Sequence, residues 1–89
     1  MESLEMYFGE TRTITVEIVS CDNEPFNIRD PFYRFLYSDE EEATGIPILD
    51  EHDLTVTFTP KKTGKYILEM RVNVANETLI RKLPIYVRN

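Results

Sequence analysis

Few residues in this sequence of 89 could do chemistry, and their spacing does not bring them together. There is one histidine, His52, and one cysteine, Cys21, far apart in the chain. Nucleophilic catalysis needs an activated Ser, Thr or Cys beside a positioned base, and a zinc or copper centre needs several nitrogen or sulfur ligands. His52 lies in an acidic turn and no pattern marks a partner for Cys21. We therefore predict no catalytic residues, no metal centre and no cofactor.

Acidic side chains form two dense groups, and these could offer oxygen ligands to a hard cation. The first group is Asp39, Glu40, Glu41 and Glu42, and the second is Asp50, Glu51 and Asp53. Calcium takes about six to eight oxygen ligands from loops, but the spacing here matches no EF-hand. We interpret residues 39–45 as a solvated acidic loop. Calcium binding by the acidic loops stays open as the alternative.

The formal net charge of −6 bears on the kind of partner. Nucleic acid phosphates need a basic stripe, and an anionic membrane surface likewise attracts basic segments. No run of about 18 apolar residues, the length of a membrane-spanning helix, is present. Residues 1–5 also lack the basic and apolar parts of a secretory signal. The sequence predicts a protein partner, with no nucleic acid and no membrane.

Strands with alternating apolar and polar residues must position these side chains. Successive side chains of a strand point to opposite faces, so period-2 alternation predicts a strand with one face in a core. The clearest cases are Leu54–Thr59 and Tyr66–Val74, and in the second only Ile67 breaks the alternation. The predicted strands are Leu4–Phe8, Thr11–Ser20, Phe32–Ser38, Ile46–Leu49, Leu54–Thr59, Tyr66–Val74 and Thr78–Arg88.

Seven or so short strands separated by turns predict an all-β single domain over residues 1–89, an immunoglobulin-like β-sandwich of antiparallel strands. A small closed barrel is the alternative. Gly64 and Tyr66 stand where many such sandwiches carry a tyrosine corner, with the hydroxyl bonded to nearby backbone. Cys21–Pro25 reads as a turn, and the short connection Ala75–Glu77 predicts a hairpin between the last two strands.

The last predicted strand carries two irregularities. Every second position of this strand, the set expected to face the core, is apolar at Leu79, Leu83, Ile85 and Val87. Arg81 interrupts that set. Pro84 cannot donate to a β-ladder, which predicts a bulge or an edge position.

The strand Phe32–Ser38 is rich in aromatic residues. Phe32, Tyr33, Phe35 and Tyr37 give both of its faces large apolar area. This predicts either a central strand or a strand with one face in an interface. These residues, with the acidic group Asp39–Glu42, are the candidate protein-interaction residues, and core packing is the alternative for the aromatic ones.

Three segments resemble the immunoglobulin-like modules of phage tails, in particular the N-terminal domain of baseplate upper proteins of Gram-positive phages. Tyr7-Phe8-Gly9-Glu10-Thr11-Arg12-Thr13 is similar to the Tyr-x-Gly-Asp-Thr opening of those domains. Glu24-Pro25-Phe26-Asn27-Ile28 resembles their Pro-x-Asp-Leu segment, and Thr63-Gly64-Lys65-Tyr66 matches their Gly-x-Tyr.

The resemblance implies a non-catalytic tail or baseplate assembly domain that docks onto neighbouring tail proteins and is found in the virion, after assembly in the host cytoplasm. The alternative is an immunoglobulin-like adhesion or carbohydrate-binding module of a bacterial cell surface, cut from a longer chain. A homo-oligomer is compatible with either, because strand edges can pair between copies.

Overall fold

A computed structural model describes residues 3–19 and 27–89, and all regular structure in these ranges is β-strand. The strands are β1 (Leu4–Tyr7), β2 (Arg12–Glu17), β3 (Ile28–Tyr37), β4 (Glu40–Gly45), β5 (Ile48–Asp50), β6 (Asp53–Phe58), β7 (Gly64–Val74) and β8 (Glu77–Arg88). These ranges contain no helix long and apolar enough to span a membrane. The predicted turn Cys21–Pro25 lies outside the described residues.

The strands form two sheets. One has five strands in the order β1-β8-β7-β3-β4, and the other has three in the order β2-β6-β5. The sheets share one hydrophobic cluster, and the ring of Phe35 stacks on that of Phe58 across it with centroids 4.1 Å apart. The all-β prediction is confirmed. The structure is a pair of open sheets rather than the alternative closed barrel.

The prediction of wholly antiparallel strands is wrong at β1. This strand pairs parallel to β8, with Leu4 opposite Ile85 and Tyr7 opposite Arg88. The connection from β1 to β2 turns at Gly9, whose φ is 95°. Because the chain crosses there into the smaller sheet, β1 cannot pair with the strand that follows it in sequence. Its partner is a strand from the other end of the chain, which a local pattern does not indicate.

The acidic segment is also corrected. Glu40–Gly45 is the edge strand β4 rather than a loop, and it raises the strand count of the described residues to eight. Only Ser38 and Asp39 turn, with φ of 51° and 65°. Positive φ at both central residues is the signature of the type I′ hairpin turn, which matches the twist of the flanking strands. Glutamate is depleted in strands, so composition concealed this one.

The core follows the predicted alternation. Leu54, Val56 and Phe58 of β6 point inward. Every second residue of β7 from Tyr66 to Val72 does the same. The buried apolar side chains are Met6, Ile14, Ile18, Ile28, Phe35, Leu54, Val56, Phe58, Tyr66, Leu68, Met70, Val72, Ile85 and Val87. Each such side chain contributes about 1.5–3 kcal/mol of transfer free energy, which is enough to hold two sheets face to face.

The two prolines in strands sit where their missing N–H is tolerated. Pro31 lies in a register shift of β3 between Arg29 and Phe32, so β3 begins earlier than predicted and passes through a bulge. Pro84 lies opposite Ile67 without any shift in register, so no bulge forms there. The pairing of β8 with β1 begins only at Ile85. Pro84 therefore has a paired strand on one side alone, although β8 lies between β1 and β7 and is not an edge strand.

Candidate functional site

The aromatic residues of β3 divide between its two faces. Phe35 is only 1 % exposed, so it cannot contact a partner. Tyr33 and Tyr37 are half-buried against the same core, with ring centroids 5.6 Å from Phe35 and 4.8 Å from Tyr66, respectively. These three candidate interaction residues pack in or against the core, which was the alternative given for the aromatic residues. Phe32 lies on the opposite face of the sheet.

The Tyr66 hydroxyl lies at the centre of a polar corner. Tyr66 is 0 % exposed, and its hydroxyl donates to Glu42 with O–O distances of 2.9 Å to Oε1 and 2.7 Å to Oε2. Burial, together with the hydrogen bond and charge of Glu42, raises the pKa of Tyr66 to about 12, and the backbone amides of Lys61 and Lys62 act in the opposite direction. The hydroxyl therefore stays a proton donor at any physiological pH.

This arrangement corrects two expectations. The proton of Tyr66 goes to a carboxylate, whereas the sequence suggested backbone as the partner; the upstream backbone contributes through the amides of Lys61 and Lys62. Glu42 was expected in a solvated loop, but it is the extra residue where the register between β3 and β4 shifts. A bulge re-aims a side chain, and here the side chain reaches the core corner.

Gly64 is held in place by Tyr37. The Tyr37 hydroxyl donates to the carbonyl oxygen of Thr63 at 2.7 Å. Gly64 has a φ of 124°, and a Cβ there would lie 2.9 Å from that hydroxyl. Both the conformation and the space require glycine. Gly64, Tyr37 and Tyr66 thus form an architectural corner.

The other acidic residues do not converge. Asp39 is exposed in the turn between β3 and β4, and Glu40 and Glu41 are exposed on the edge strand β4. Within residues 3–19 and 27–89, no group of three or more His, Cys, Asp or Glu side chains could hold a metal ion. The backbone carbonyl of His52 accepts a hydrogen bond from the Ile18 amide at 2.9 Å, which ties the β5–β6 turn to the end of β2. Cys21 lies outside the described residues.

The side of the five-stranded sheet that faces away from the core combines apolar and charged side chains. We call it the outer face. Strand register places its side chains in three rows across β3, β7 and β8: Phe32, Arg71 and Ile80; Arg34, Glu69 and Lys82; Leu36, Ile67 and Pro84. Glu41 of β4 extends the third row, and Tyr86 lies beyond it on β8.

Charges at the centre of the outer face are fixed by one carboxylate. Arg34 Nε donates to Glu69 Oε1 at 2.8 Å, and Lys82 Nζ lies 3.9 Å from Glu69 Oε2. The hydrogen bond and charge of Glu69, with a smaller effect of Glu41, raise the pKa of Arg34. The Arg71 guanidinium lies 5.3 Å from the centroid of the Phe32 ring. These side chains are held in defined orientations before any partner arrives.

Apolar side chains surround these charges. Ile80 is 48 % exposed and Tyr86 38 %, while Phe32, Leu36 and Ile67 are half-buried. Arginine and aromatic residues are enriched in the central parts of protein interfaces. Of the candidates from sequence, Phe32 and Glu41 belong to this surface. The sequence held one indication of the rest of the outer face. Ile67 is the apolar residue that breaks the alternation of its strand, so it places an apolar side chain on the side away from the core.

Comparison of the chain with protein-family models, curated proteins and solved structures finds no match.

Proposed function

We propose that this chain is an immunoglobulin-like β-sandwich that serves as a non-catalytic protein-interaction module. Strand order supports the finer fold. In that fold, strands G, F and C form one sheet, C′ joins it in variable-type domains, and strands B, E and D belong to the other. The order β8-β7-β3-β4 facing β2-β6-β5 follows this arrangement.

The corner at Tyr66 supports the same assignment. A tyrosine near the start of strand F, bonded to backbone a few residues upstream, is a mark of these sandwiches. Tyr66 is near the start of β7, the strand in the F position, and the upstream backbone amides of Lys61 and Lys62 act to lower the pKa of its hydroxyl.

The observation that carries the interaction function is the outer face. It presents exposed Ile80 and Tyr86 beside a prearranged Arg34–Glu69 pair. A surface whose charged side chains are already oriented loses less conformational entropy on binding. The partner is a protein that places apolar side chains over Ile80 and Tyr86, with polar groups toward the charged row.

The setting we propose is a phage or prophage tail or baseplate, where the chain would assemble with neighbouring tail proteins. The support is the resemblance of Tyr7–Thr13 and Thr63–Tyr66 to tail modules, together with an acidic chain that is unsuited to nucleic acid.

Mass spectrometry of purified particles tests this setting. Cells that carry the gene for this chain are treated to induce any prophage, particles are purified by density gradient, and cell-wall and cytoplasmic fractions are kept for comparison. We expect peptides of this chain in the particle peak, at a constant ratio to the other tail proteins. Peptides confined to the cell-wall fraction would contradict the tail assignment and favour a cell-surface module.

A further inference from the structure

The free edge of β2 borders a groove that the outer-face proposal does not use. In the described part of the chain, β2 pairs with β6 alone, so its other edge has no strand neighbour. Two adjoining cavities of about 380 and 600 Å³ run along this edge and share Thr15 and Leu83 in their linings. They separate β2 from the inner face of β7 and β8. We call this space the β2 groove.

The groove lies where the sandwich arrangement leaves room for one more strand. In immunoglobulin-like sandwiches, strand A lies beside strand B in the sheet with E and D. Here the first strand, β1, has joined the other sheet by pairing with β8. No strand among residues 3–19 and 27–89 therefore occupies the position beside β2. A strand edge carries unpaired N–H and C=O groups that another extended segment can satisfy.

Two arginines occupy inward-facing positions along the groove. Arg12 has the phase of Ile14 and lines one cavity; Arg81 has the phase of Leu83 and lines the other. The guanidinium of Arg81 donates to the neighbouring Ile80 carbonyl at 3.1 Å. None of the ion pairs among the described residues involves Arg12 or Arg81. A cation at a core-phase position of β8 is the irregularity that the sequence already indicated.

The charge of the groove is opposite to that of the molecule. The chain has a net charge of −6, yet within the described lining Arg12, Arg81 and Lys82 face a single carboxylate, Glu17. Lys82 is engaged with Glu69 on the outer face, which leaves the two arginines for a ligand. Half-buried Val16 and Leu83 provide apolar contact between them. The lining therefore suits carboxylates flanking an apolar centre.

We propose that the β2 groove binds an extended segment of a partner protein, which adds as a strand to the free edge of β2. Its inward-facing side chains are acidic at both ends, opposite Arg12 and Arg81, and apolar in the middle, over Val16 and Leu83. Backbone hydrogen bonds supply affinity in this mode, and alternate side chains supply specificity. The proposal does not depend on the tail assignment, because it concerns a different surface and no particular organism.

A labelled peptide tests it. The probe is a blocked, fluorescein-labelled peptide that alternates threonine with, in order, glutamate, valine, valine and glutamate; the control peptide has lysine for glutamate. Fluorescence anisotropy is measured with the wild type, Arg12→Glu, Arg81→Glu and the control Lys61→Glu, which makes the same charge change at an exposed position of the loop before β7. Each groove variant loses hydrogen bonds between an arginine and a peptide carboxylate. Since such bonds are among the stronger ones in proteins, each variant should weaken binding of the acidic peptide by about tenfold or more. Lys61→Glu should leave the affinity within about twofold.

Several results would overturn the proposal. They are equal binding of the two peptides, no binding of the acidic one, or unchanged affinity in both groove variants. If thermal melts show that Arg81→Glu is unfolded, Arg81→Gln replaces it, and it should lower affinity in the same direction. Sedimentation of the protein without peptide tests whether a second copy of the chain occupies the groove. A concentration-dependent dimer of the wild type that Arg81→Gln abolishes would mean that a second copy fills the groove, contrary to the proposal.

Discussion

The Tyr66 hydroxyl and the Glu42 carboxylate meet at 2.7 Å although their strands, β7 and β4, are separated in the sheet by β3. Tyr66 therefore reaches beneath Tyr37 to the edge of the sheet. The contact joins the fully buried corner to the acidic edge strand and explains why one glutamate of that strand turns inward.

Removing this hydroxyl should destabilise the fold. Tyr66→Phe keeps the ring, whose centroid lies 5.0 Å from that of Phe58, but leaves Glu42 without its donor. We expect the free energy of unfolding to fall by about 1.5–3 kcal/mol, the net contribution of a hydrogen bond to a charged group. Urea denaturation measures it. Tyr86→Phe, at a tyrosine that is 38 % exposed, is the control and should change stability by less than about 0.5 kcal/mol. Equal denaturation midpoints for the two variants would show that the Tyr66–Glu42 hydrogen bond does not stabilise the fold.

The same residue predicts a loss of stability at alkaline pH. The pKa of Tyr66 is raised from 10.0 to about 12 in the folded state, so folding favours the protonated form. The stabilisation is complete below pH 10 and is lost as the pH rises from 10 to about 12, because the unfolded chain then binds fewer protons. The stability difference between the wild type and Tyr66→Phe should therefore shrink across that window, by up to about 2–3 kcal/mol. A difference that stays constant across the window would refute the shift.

Gly64 and Gly9 form a matched pair for backbone strain. Both have positive φ, 124° and 95°, but only at Gly64 would a Cβ meet another atom, the Tyr37 hydroxyl at 2.9 Å. Gly9→Ala should cost about 1 kcal/mol of conformational strain, and Gly64→Ala should cost roughly 1–2 kcal/mol more because of the clash. Adding Tyr37→Phe should recover part of the extra cost, a coupling that a double-mutant cycle measures. Equal costs for the two alanine variants would show that the clash is absent.

The two faces of β3 can be separated by truncation. Phe35→Ala removes a ring that stacks at 4.1 Å on Phe58, and should cost about 3–5 kcal/mol. Phe32→Ala, on the outer face beside Arg71, should cost no more than about 1 kcal/mol. Thermal melts compare the two. The reverse order would place Phe32 in the core and refute the register of β3.

Much of the fold was accessible from sequence because side-chain alternation is local. The inward set Leu54, Val56 and Phe58 follows from period 2 alone, and the hairpin of β7 and β8 follows from a short connection. Two features depend on distant residues instead. The edge strand β4 is rich in glutamate, and its position depends on pairing with β3 and on the contact of Glu42 with Tyr66. The strand β1 pairs with β8, at the other end of the chain.

The candidate site was only partly accessible for the same reason. Sequence identified Phe32 and Glu41 but grouped them with Phe35 and Tyr37, which face the core. The outer face depends on which strands are neighbours, since Ile80 reaches Phe32 only because β7 lies between β8 and β3. That neighbour relation is a property of the folded sheet.

We propose that the outer face docks this module onto neighbouring tail proteins, and incorporation into particles tests that proposal most directly. Ile80→Glu places a charge at the exposed apolar edge of the outer face, and Thr57→Glu places one at an exposed position of the smaller sheet. Both variants are expressed in the native host in place of the wild type, and the chain is quantified in purified particles. We predict that Ile80→Glu lowers incorporation about tenfold or more, since hot-spot residues at an interface are each worth at least about 2 kcal/mol, whereas Thr57→Glu leaves it unchanged. Equal incorporation of the two folded variants would contradict the account.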